Sequence, residues 1–526
     1  MHNVCPALGR RYNAAMLRLV VTCALAASLA AQLVTATPRA GVAQTFDVLI
    51  RNGRVMDGSG NPWLRADIGV NGDRIAAVGR LTEATAARVI DAHDRIVAPG
   101  FIDVHSHAAD GLRNAALHQA QPILAQGVTT VVVNPDGGGP VDLAAQRAAL
   151  EAAHPGPNAA LLIGHGSVRS AVMGNANRAP TDEELTRMKE LVRRGMTEGA
   201  FGLSSGLFYV PGSFAKTEEV IELTKVAAEF GGLYTSHVRD EGNYDTGVRA
   251  SVLEVIRIAE EARTIGIVTH MKALGTDSWG LSADLLKMIE DARARGAQVF
   301  ADQYPYDASS TSLRAALLPG GVQATEAVVA ENLRRRNGPN AIQIAFYSPD
   351  RSLEGKRLSE IAEARNVSPV KAAMDIMAAG NASIVSYNMS EQDIASIMRA
   401  PFTMASSDGG LVAVGAGHPH PRDYGAFARR LGVYVRDRKV VPLEFAVRSM
   451  TSLPASVFGL TDRGVIRPGA FADLVIFDPA TIRDMATYEE PQKLAEGVSD
   501  LLVNGVPVRL DGKFTDQAPG RVLRRK

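Results

Sequence analysis

The sequence predicts a (β/α)₈ barrel of the TIM type, joined to a small β-sandwich domain built from both ends of the chain. In the middle, short apolar runs typical of strands alternate with helix-like stretches rich in Ala, Leu, Glu and Arg. Both ends instead show strand and hairpin patterns, and a long stretch, about residues 313–400, separates the last two strand-like runs. The alternation of strand-like and helix-like stretches predicts a barrel of parallel strands. The long stretch predicts an inserted helical segment before the last barrel strand.

The two ends of the chain have the same sequence pattern, in which strand-like runs alternate with turns. FDVLIRNGRVMDGSGN (residues 46–61) and VSDLLVNGVPV (residues 498–508) are strand-like runs interrupted by Asn-Gly and Asp-Gly turns. Such dipeptides between apolar runs indicate hairpins. We therefore predict that residues 44–98 and 463–526 form the small β domain.

Residues 99–462 are predicted to form the barrel. Helix-like stretches such as Thr181 to Arg194, Thr217 to Phe230 and Ser251 to Arg263 separate strand-like runs. The eight runs, in order, are GFIDVHSH, VTTVVVN, NAALLIGHG, GAFGLSSG, GLYTSHV, IGIVTHM, QVFADQYPY and FTMASSDG.

Residues 1–43 have the pattern of a secretory signal peptide. Arg10, Arg11 and Arg18 precede an alanine-rich apolar run, Leu19 to Val34, and small residues follow it. The run is shorter than the roughly 20 apolar residues that a membrane span prefers, so a retained anchor is less favoured. We expect a secreted or periplasmic protein that is not membrane-bound after removal of the signal.

Charge and cysteine content exclude several classes of function. Lys and Arg number 56, as do Asp and Glu, so the zero net charge does not indicate a nucleic-acid binder. The two cysteines, Cys5 and Cys23, both lie in the predicted signal peptide. The rest of the chain therefore has no disulfide and no thiolate to bind a metal.

Histidines stand at the ends of four predicted barrel strands, where barrel enzymes carry their active residues. His105 and His107 are two residues apart on one strand, so both side chains can face the same cation. His237 and His270 end two later strands. Taken singly, each could be a hydrogen-bonded core histidine, but together the four predict a metal site.

Two aspartates end further strands. Asp136 follows the valines of TVVVNPDGGG, and it either shapes the turn or directs its carboxylate into the site. Asp408 in ASSDGG is either an Asp-Gly turn residue or a general base that accepts a proton from water activated by the metal.

Other polar residues have less specific contexts. His165 also ends a strand and is expected to line the pocket or to support the metal ligands, while His418 and His420 are expected to border the pocket. Ser204 and Ser205 in GLSSGL lack the strained G-x-S-x-G elbow of a serine nucleophile, which favours a structural or substrate-contact role.

Six motifs together resemble those of one enzyme family. GFIDVHSH, TSHVRDEG, THMKALG, DQYPYDASS, SSDGG and HPHPRDYGAFAR follow one another as in the D-aminoacylases, the N-acyl-D-amino-acid deacylases of the amidohydrolase superfamily. The resemblance runs from about Phe46 to Val508. As a set the motifs are specific for this group, whereas His-x-His alone marks only the superfamily.

The resemblance implies a zinc-dependent barrel enzyme with one or two Zn²⁺ ions per chain, other divalent metals being possible. It implies Asp408 as the catalytic residue. Three positions, Lys272, Tyr304 and Arg422, match residues that bind the free carboxylate of the substrate. The positions that match metal-binding histidines are His105, His107, His237 and His270.

The sequence departs from the family at Asp136. D-aminoacylases of the best-known type carry a cysteine at this strand end, as a ligand able to bridge two metals. A carboxylate can also bridge two divalent ions but is a harder ligand than a thiolate. We therefore predict Asp136 as a metal ligand, with the turn role as the alternative and with the number and identity of the metals open.

The predicted function is hydrolysis of an amide bond in N-acyl-D-amino acids or similar small carboxylate-bearing amides. A dipeptidase, a cyclic-amide hydrolase or a lactonase would use the same metal site, so these remain alternatives. A non-catalytic binding protein is less favoured, because such a protein would be expected to lack some of the histidines or Asp408.

Overall fold

The computed structural model describes residues 44–525. The predicted signal peptide, residues 1–43, lies outside the described residues. Within residues 44–525, none of the helices has the length and apolar character needed to cross a lipid bilayer.

Eight parallel strands form the barrel, and their order confirms the predicted fold. Extensions of the last and first strands, Gly409–Gly410 and Ser106–His107, pair in parallel and bring the two edges together. Barrel strands 1 to 8 are Phe101–Asp103, Val128–Val133, Asn158–Leu161 with its continuation Ile163–Gly164, Gly202–Gly206, Leu233–His237, Gly266–Val268, Val299–Gln303 and Thr403–Ala405.

Helices surround the barrel and pack apolar faces against it. In Asp182–Thr197, Met188, Val192 and Met196 recur at a spacing of four and are buried. Thr181 and Glu184 close its start with reciprocal side-chain to backbone hydrogen bonds. The surrounding helices are Ala109–Arg113, Gln121–Leu124, Leu143–Ala153, His165–Met173, Asp182–Thr197, Thr217–Glu229, Val248–Ala262, Ser282–Ala294, Glu391–Arg399, Arg422–Arg429 with the π-helical Arg430–Asp437, Leu443–Met450 and Ser452–Phe458.

The small β domain combines both ends of the chain in a nine-stranded sheet. Leu474–Phe477 pairs antiparallel with Ile96–Pro99, which joins the two halves of the sheet. The strands are Thr45–Val55, Leu64–Asn71, Arg74–Gly79, Thr85–Asp91, Ile96–Pro99, Leu474–Phe477, Val498–Val503, Val506–Leu510 and Lys513–Phe514. Val522–Leu523, near the end of the range 463–526, pairs with barrel strand 3 instead, so the chain returns to the barrel.

The predicted inserted segment lies between barrel strands 7 and 8. It contains the predicted helices, Leu313–Leu317, Glu326–Arg335, Leu358–Ala364 and Pro369–Ala379. It also contains an antiparallel sheet of Ala308–Ser312, Ser383–Tyr387 and Ile342–Phe346, which the sequence did not predict. These strands are short, and ASSTS has the serine content of a loop. The segment has its own buried core, and several of its residues form one wall of the cavity described below.

Candidate active site

Two histidines and two aspartates meet where the first and last barrel strands close. The Nε2 atom of His105 lies 3.4 Å from Asp136 Oδ1 and 3.5 Å from Asp408 Oδ1. The Nε2 atom of His107 lies 3.1 Å from Asp408 Oδ1 and 3.5 Å from Asp136 Oδ2. The strand end that carries the His-x-His pair therefore directs both imidazoles at the same two carboxylates.

A second group shares Asp136 with the first. His237 Nδ1 lies 2.8 Å from His270 Nε2, and these two nitrogens lie 3.9 Å and 3.6 Å from Asp136 Oδ1. Within each group the possible ligand atoms lie within 4.8 Å of one another. Asp136 is the member common to both groups, so the structure places its carboxylate where a ligand shared by two ions would stand.

The chemistry of these side chains suits a divalent metal. Both ring nitrogens of His105 and the Oδ1 atom of Asp136 are buried without a hydrogen-bond partner among the described residues. Because buried polar atoms are rarely left unpaired, these atoms are suited to bind an electrophile such as a cation. Imidazole nitrogen and carboxylate oxygen are ligands that zinc accepts, and the carboxylates also suit harder divalent ions.

Three residues of the cluster have left-handed backbone conformations, which non-glycine residues rarely adopt. The φ angles are 56° for Asp136, 50° for Asp408 and 34° for His270. The Asp408 N–H donates to the His105 carbonyl (2.9 Å), and the His270 N–H donates to Asp302 Oδ1 (2.9 Å). These bonds fix the strand ends and aim the side chains inward.

The Asp136 turn is held by Ser204. The Ser204 hydroxyl donates to the Asn134 carbonyl at 2.7 Å and accepts from the Gly137 N–H at 3.2 Å. Asp136 thus occupies a turn and also faces the histidines, so the two interpretations of TVVVNPDGGG are compatible. Ser204 has a structural role at this turn.

Electrostatics keep the two aspartates ionised. Burial alone raises the pKa of Asp136, but the surrounding imidazoles, His105 first, outweigh burial and hold that pKa well below its usual range. Burial likewise raises the pKa of Asp408, but the Arg422 guanidinium together with the neighbouring imidazoles outweighs burial and lowers the pKa. Burial lowers the pKa of His237 to about 4, which favours the neutral form that binds metals.

The three residues expected to bind a carboxylate lie together beside the cluster. Arg422 Nη1 lies 2.7 Å from Asp408 Oδ2, and the Arg422 guanidinium stands 4.7 Å from the centre of the Tyr304 ring. Lys272 Nζ lies 5.5 Å from the same ring centre. Burial raises the pKa of Tyr304 to about 12, so its hydroxyl remains a hydrogen-bond donor.

Glu241 is a member of the site that the sequence did not predict. Its Oε1 atom lies 2.9 Å from His270 Nδ1 and forms an ion pair with Lys272 Nζ. Burial raises the pKa of Glu241, but Lys272, His237 and His270 together outweigh burial and hold the pKa well below its usual range. The residue lies in the motif TSHVRDEG beside two other charged residues, and no spacing rule separates Glu241 from them.

A cavity of about 660 Å³ opens over the cluster. His420 lines it, and its Nδ1 atom accepts a hydrogen bond from the Arg422 N–H at 3.0 Å. His165 is not among the lining residues, because it is buried and bonded to Glu219 at 2.9 Å. His418 likewise does not line the cavity, and its Nε2 atom bonds the Tyr488 carbonyl at 2.6 Å. All residues predicted to be catalytic, metal-binding or carboxylate-binding line the cavity except His105.

Comparison with known proteins agrees with this architecture. A model described as the amidohydrolase family matches residues 88–509. The chain belongs to the amidohydrolase family. Within that family, this chain is 38% identical to a D-aminoacylase of Alcaligenes xylosoxydans xylosoxydans, over 92% of this chain and 98% of that protein. The resemblance to D-aminoacylases inferred from the six motifs is therefore confirmed.

Solved structures of amidohydrolases show the same fold. An N-acyl-D-glutamate deacylase from Bordetella bronchiseptica, complexed with zinc and a phosphonate mimic of the tetrahedral intermediate, is 36% identical, with a TM-score of 0.81. The match covers 92% of this chain and all of the other. A second solved structure is that of a D-aminoacylase, whose binuclear metal centre is described as showing one-metal activation and second-metal attenuation. This protein is 37% identical to the present chain, with a TM-score of 0.81. The match covers 91% of the present chain and all of the D-aminoacylase.

Proposed function

We propose that this amidohydrolase is a zinc-dependent enzyme that removes the acyl group from N-acyl-D-amino acids. The observation that carries the proposal is the convergence of four histidines, Asp136 and Asp408 beside a buried arginine, lysine and tyrosine. Family membership and the names of the similar proteins support the same activity.

The two groups that share Asp136 provide places for one or two zinc ions. His237, His270 and Asp136 would hold one ion, and His105 and His107 would hold the other with Asp136 between them. Zinc supplies the electrophile of the reaction, because it lowers the pKa of a bound water from 15.7 towards about 7 and polarises a carbonyl.

Asp408 is the proton carrier in this proposal. Its carboxylate is ionised, stands over the ligand cluster and is fixed through its own N–H. It can accept the proton of the attacking water and deliver that proton to the amide nitrogen, which then leaves as an amine. The Arg422 guanidinium stabilises the charged form of Asp408 before the proton arrives.

The substrate carboxylate would be bound by Arg422, Lys272 and Tyr304. Arginine offers parallel donors to a carboxylate, lysine offers a compact charged donor, and the protonated Tyr304 hydroxyl can donate a third hydrogen bond. The cavity has the size of a small-molecule site and suits an N-acyl amino acid.

A hydrolysis screen tests the proposal. N-acetyl-D and N-acetyl-L amino acids would be compared with a dipeptide, a cyclic imide and a lactone, with metal content measured on the same sample. We expect the N-acetyl-D series to be preferred and activity to disappear on chelation and return with Zn²⁺. Preference for the imide, lactone or dipeptide would refute the proposed substrate class, and activity that survives complete metal removal would refute the mechanism.

We also propose that the protein is exported and cleaved near residue 43. The arginines, apolar run and small residues of the leader support this proposal. Cell fractionation of the full chain and N-terminal sequencing of the product would test it. Recovery of the uncleaved chain in the cytoplasm would refute it.

A further inference from the structure

Glu241 is the point where the metal ligands and the carboxylate-binding residues meet. Its Oε1 atom lies 2.9 Å from His270 Nδ1 and is paired with Lys272 Nζ, and its Oε2 atom lies 3.9 Å from His237 Nε2. The side chain lines the cavity but is only 11% exposed. One buried carboxylate therefore lies within 4 Å of three residues to which the proposed function assigns direct roles.

The protons on these atoms can be assigned. His270 Nε2 faces Asp136 Oδ1 at 3.6 Å and His237 Nδ1 at 2.8 Å, so Nε2 is the nitrogen directed at the ligand cluster. A metal ligand needs a free lone pair on that nitrogen, so the ring proton must sit on Nδ1. The Nδ1–H then requires an acceptor.

Glu241 is the acceptor that fits. Lys272 Nζ lies 2.8 Å from His270 Nδ1, yet an ammonium and a protonated ring nitrogen are both donors and cannot bond to each other. Glu241 Oε1 contacts both nitrogens, so it can accept from both. Its negative charge also compensates the Lys272 charge, which would otherwise stand beside a metal ligand.

We propose that Glu241 is a positioning residue that couples the metal site to the substrate-carboxylate site. It fixes His270 in the tautomer that presents Nε2 to the metal, and it holds the Lys272 ammonium in the cavity. This inference rests on the proposed metal site and deepens it. Carboxylates that accept from the outer nitrogen of a ligating histidine typically contribute 10- to 100-fold to metal affinity or activity.

Glu219 supplies a matched control. Its Oε1 atom lies 2.9 Å from His165 Nε2, and its other oxygen pairs with Arg169. Like Glu241, it is a buried carboxylate shared by a histidine and a cation. His165 belongs to neither group of possible metal ligands, so Glu219→Gln removes the same kind of charge away from the site.

The experiment compares Zn²⁺ dissociation constants, measured by competition with a chelating dye, for the wild type, Glu241→Gln and Glu219→Gln. Circular dichroism and thermal midpoints would establish folding. We expect Zn²⁺ affinity to fall 10- to 100-fold in Glu241→Gln and to change less than threefold in Glu219→Gln. Equal affinities for wild type and Glu241→Gln, or equal losses in the two variants, would overturn the proposal.

Two further measurements separate positioning from a general structural role. With Zn²⁺ saturating, we expect Glu241→Gln to raise KM for an N-acetyl-D-amino acid more than for its carboxamide analogue, because Lys272 is misplaced. Adding Lys272→Met to Glu241→Gln should recover part of the Zn²⁺ affinity, since it removes the uncompensated cation. If Lys272→Met restored no Zn²⁺ affinity and Glu241→Gln raised KM equally for both substrates, Glu241 would not couple the metal site to the carboxylate site.

The Zn²⁺ comparison does not depend on the substrate. If the wild type binds Zn²⁺ but hydrolyses none of the amides, the proposed function fails and the affinities still decide the role of Glu241. If the wild type binds no Zn²⁺, both proposals fail.

Discussion

Arg422 Nη1 lies 2.7 Å from Asp408 Oδ2, so one guanidinium stands against the proposed catalytic carboxylate. The same guanidinium lies over the Tyr304 ring. Its Nε atom is buried without a hydrogen-bond partner among the described residues, which leaves a donor for a second acceptor. Arg422 can therefore hold Asp408 with one nitrogen and a substrate carboxylate with another.

Replacing Arg422 with Met should lower kcat/KM for an N-acetyl-D-amino acid by at least about 10- to 100-fold, because hydrogen bonds to charged groups contribute roughly 1.5–3 kcal/mol each. The loss should be several times smaller for the carboxamide analogue, which lacks the charge that Arg422 is proposed to bind. Steady-state kinetics on both substrates measures the difference. Arg422→Lys is the matched control, since it keeps the charge and loses the forked geometry. Equal losses on both substrates in Arg422→Met would contradict carboxylate recognition.

Asp408→Asn should reduce kcat by about 10²- to 10⁴-fold, because the amide cannot take a proton from water. We expect the ion at Asp136, His237 and His270 to be retained, since these residues form a group without Asp408. Single-turnover kinetics and metal analysis on the same sample would measure both. Wild-type turnover in the variant would refute the role of Asp408 as general base, and loss of all metal would assign Asp408 as an essential ligand.

Asp136→Ala should release metal from both groups, because the Asp136 carboxylate is common to them. Metal stoichiometry by elemental analysis checks this expectation, and unchanged content would return Asp136 to a turn role alone. Asp136→Cys is the informative companion, because the resemblance to D-aminoacylases implies a cysteine at this strand end. We expect the thiolate to restore Zn²⁺ binding and to shift selectivity towards softer metals such as Cd²⁺.

The sequence predicted the barrel and the cluster because both depend on local signals. His105 and His107 share a strand face by their spacing, and His237 and His270 follow apolar runs whose ends must meet in a parallel barrel. The turn signal at Asp136 was also local. Its convergence with the histidines is tertiary. The strand-end position left both the turn role and the site role open, and the resemblance to D-aminoacylases favoured the site.

Contacts between distant segments could not be predicted in the same way. Glu241 belongs to the site because the strands that end in His237 and Val268 are neighbours, which brings its carboxylate to Lys272 and His270. The strand Ala308–Ser312 forms only because Ser383–Tyr387, far along the chain, supplies its pairing partner. Strand formation that depends on a distant partner leaves a weak local pattern.

The buried Glu219 cluster makes a prediction about stability and pH. Burial raises the pKa of Glu219, but His165 and then Arg169 outweigh it, so the pKa lies below the ordinary glutamate value. A carboxyl group with a lowered folded pKa stabilises the protein fully above its unfolded pKa of about 4.3, and this contribution is lost as pH falls through the folded pKa. Glu219→Gln should therefore lower the free energy of unfolding by about 3 kcal/mol at pH 7, because it leaves the buried Arg169 unpaired.

The difference between wild type and Glu219→Gln should shrink as the pH is lowered from 5 towards 3, because protonation of Glu219 gives the wild type the same neutral side chain. Urea unfolding followed by circular dichroism at each pH would measure this difference. Protonation of the metal-site histidines affects both proteins alike, so it cancels in the comparison. A difference that stays constant or widens at low pH would show that the ion pair with Arg169 does not stabilise the fold.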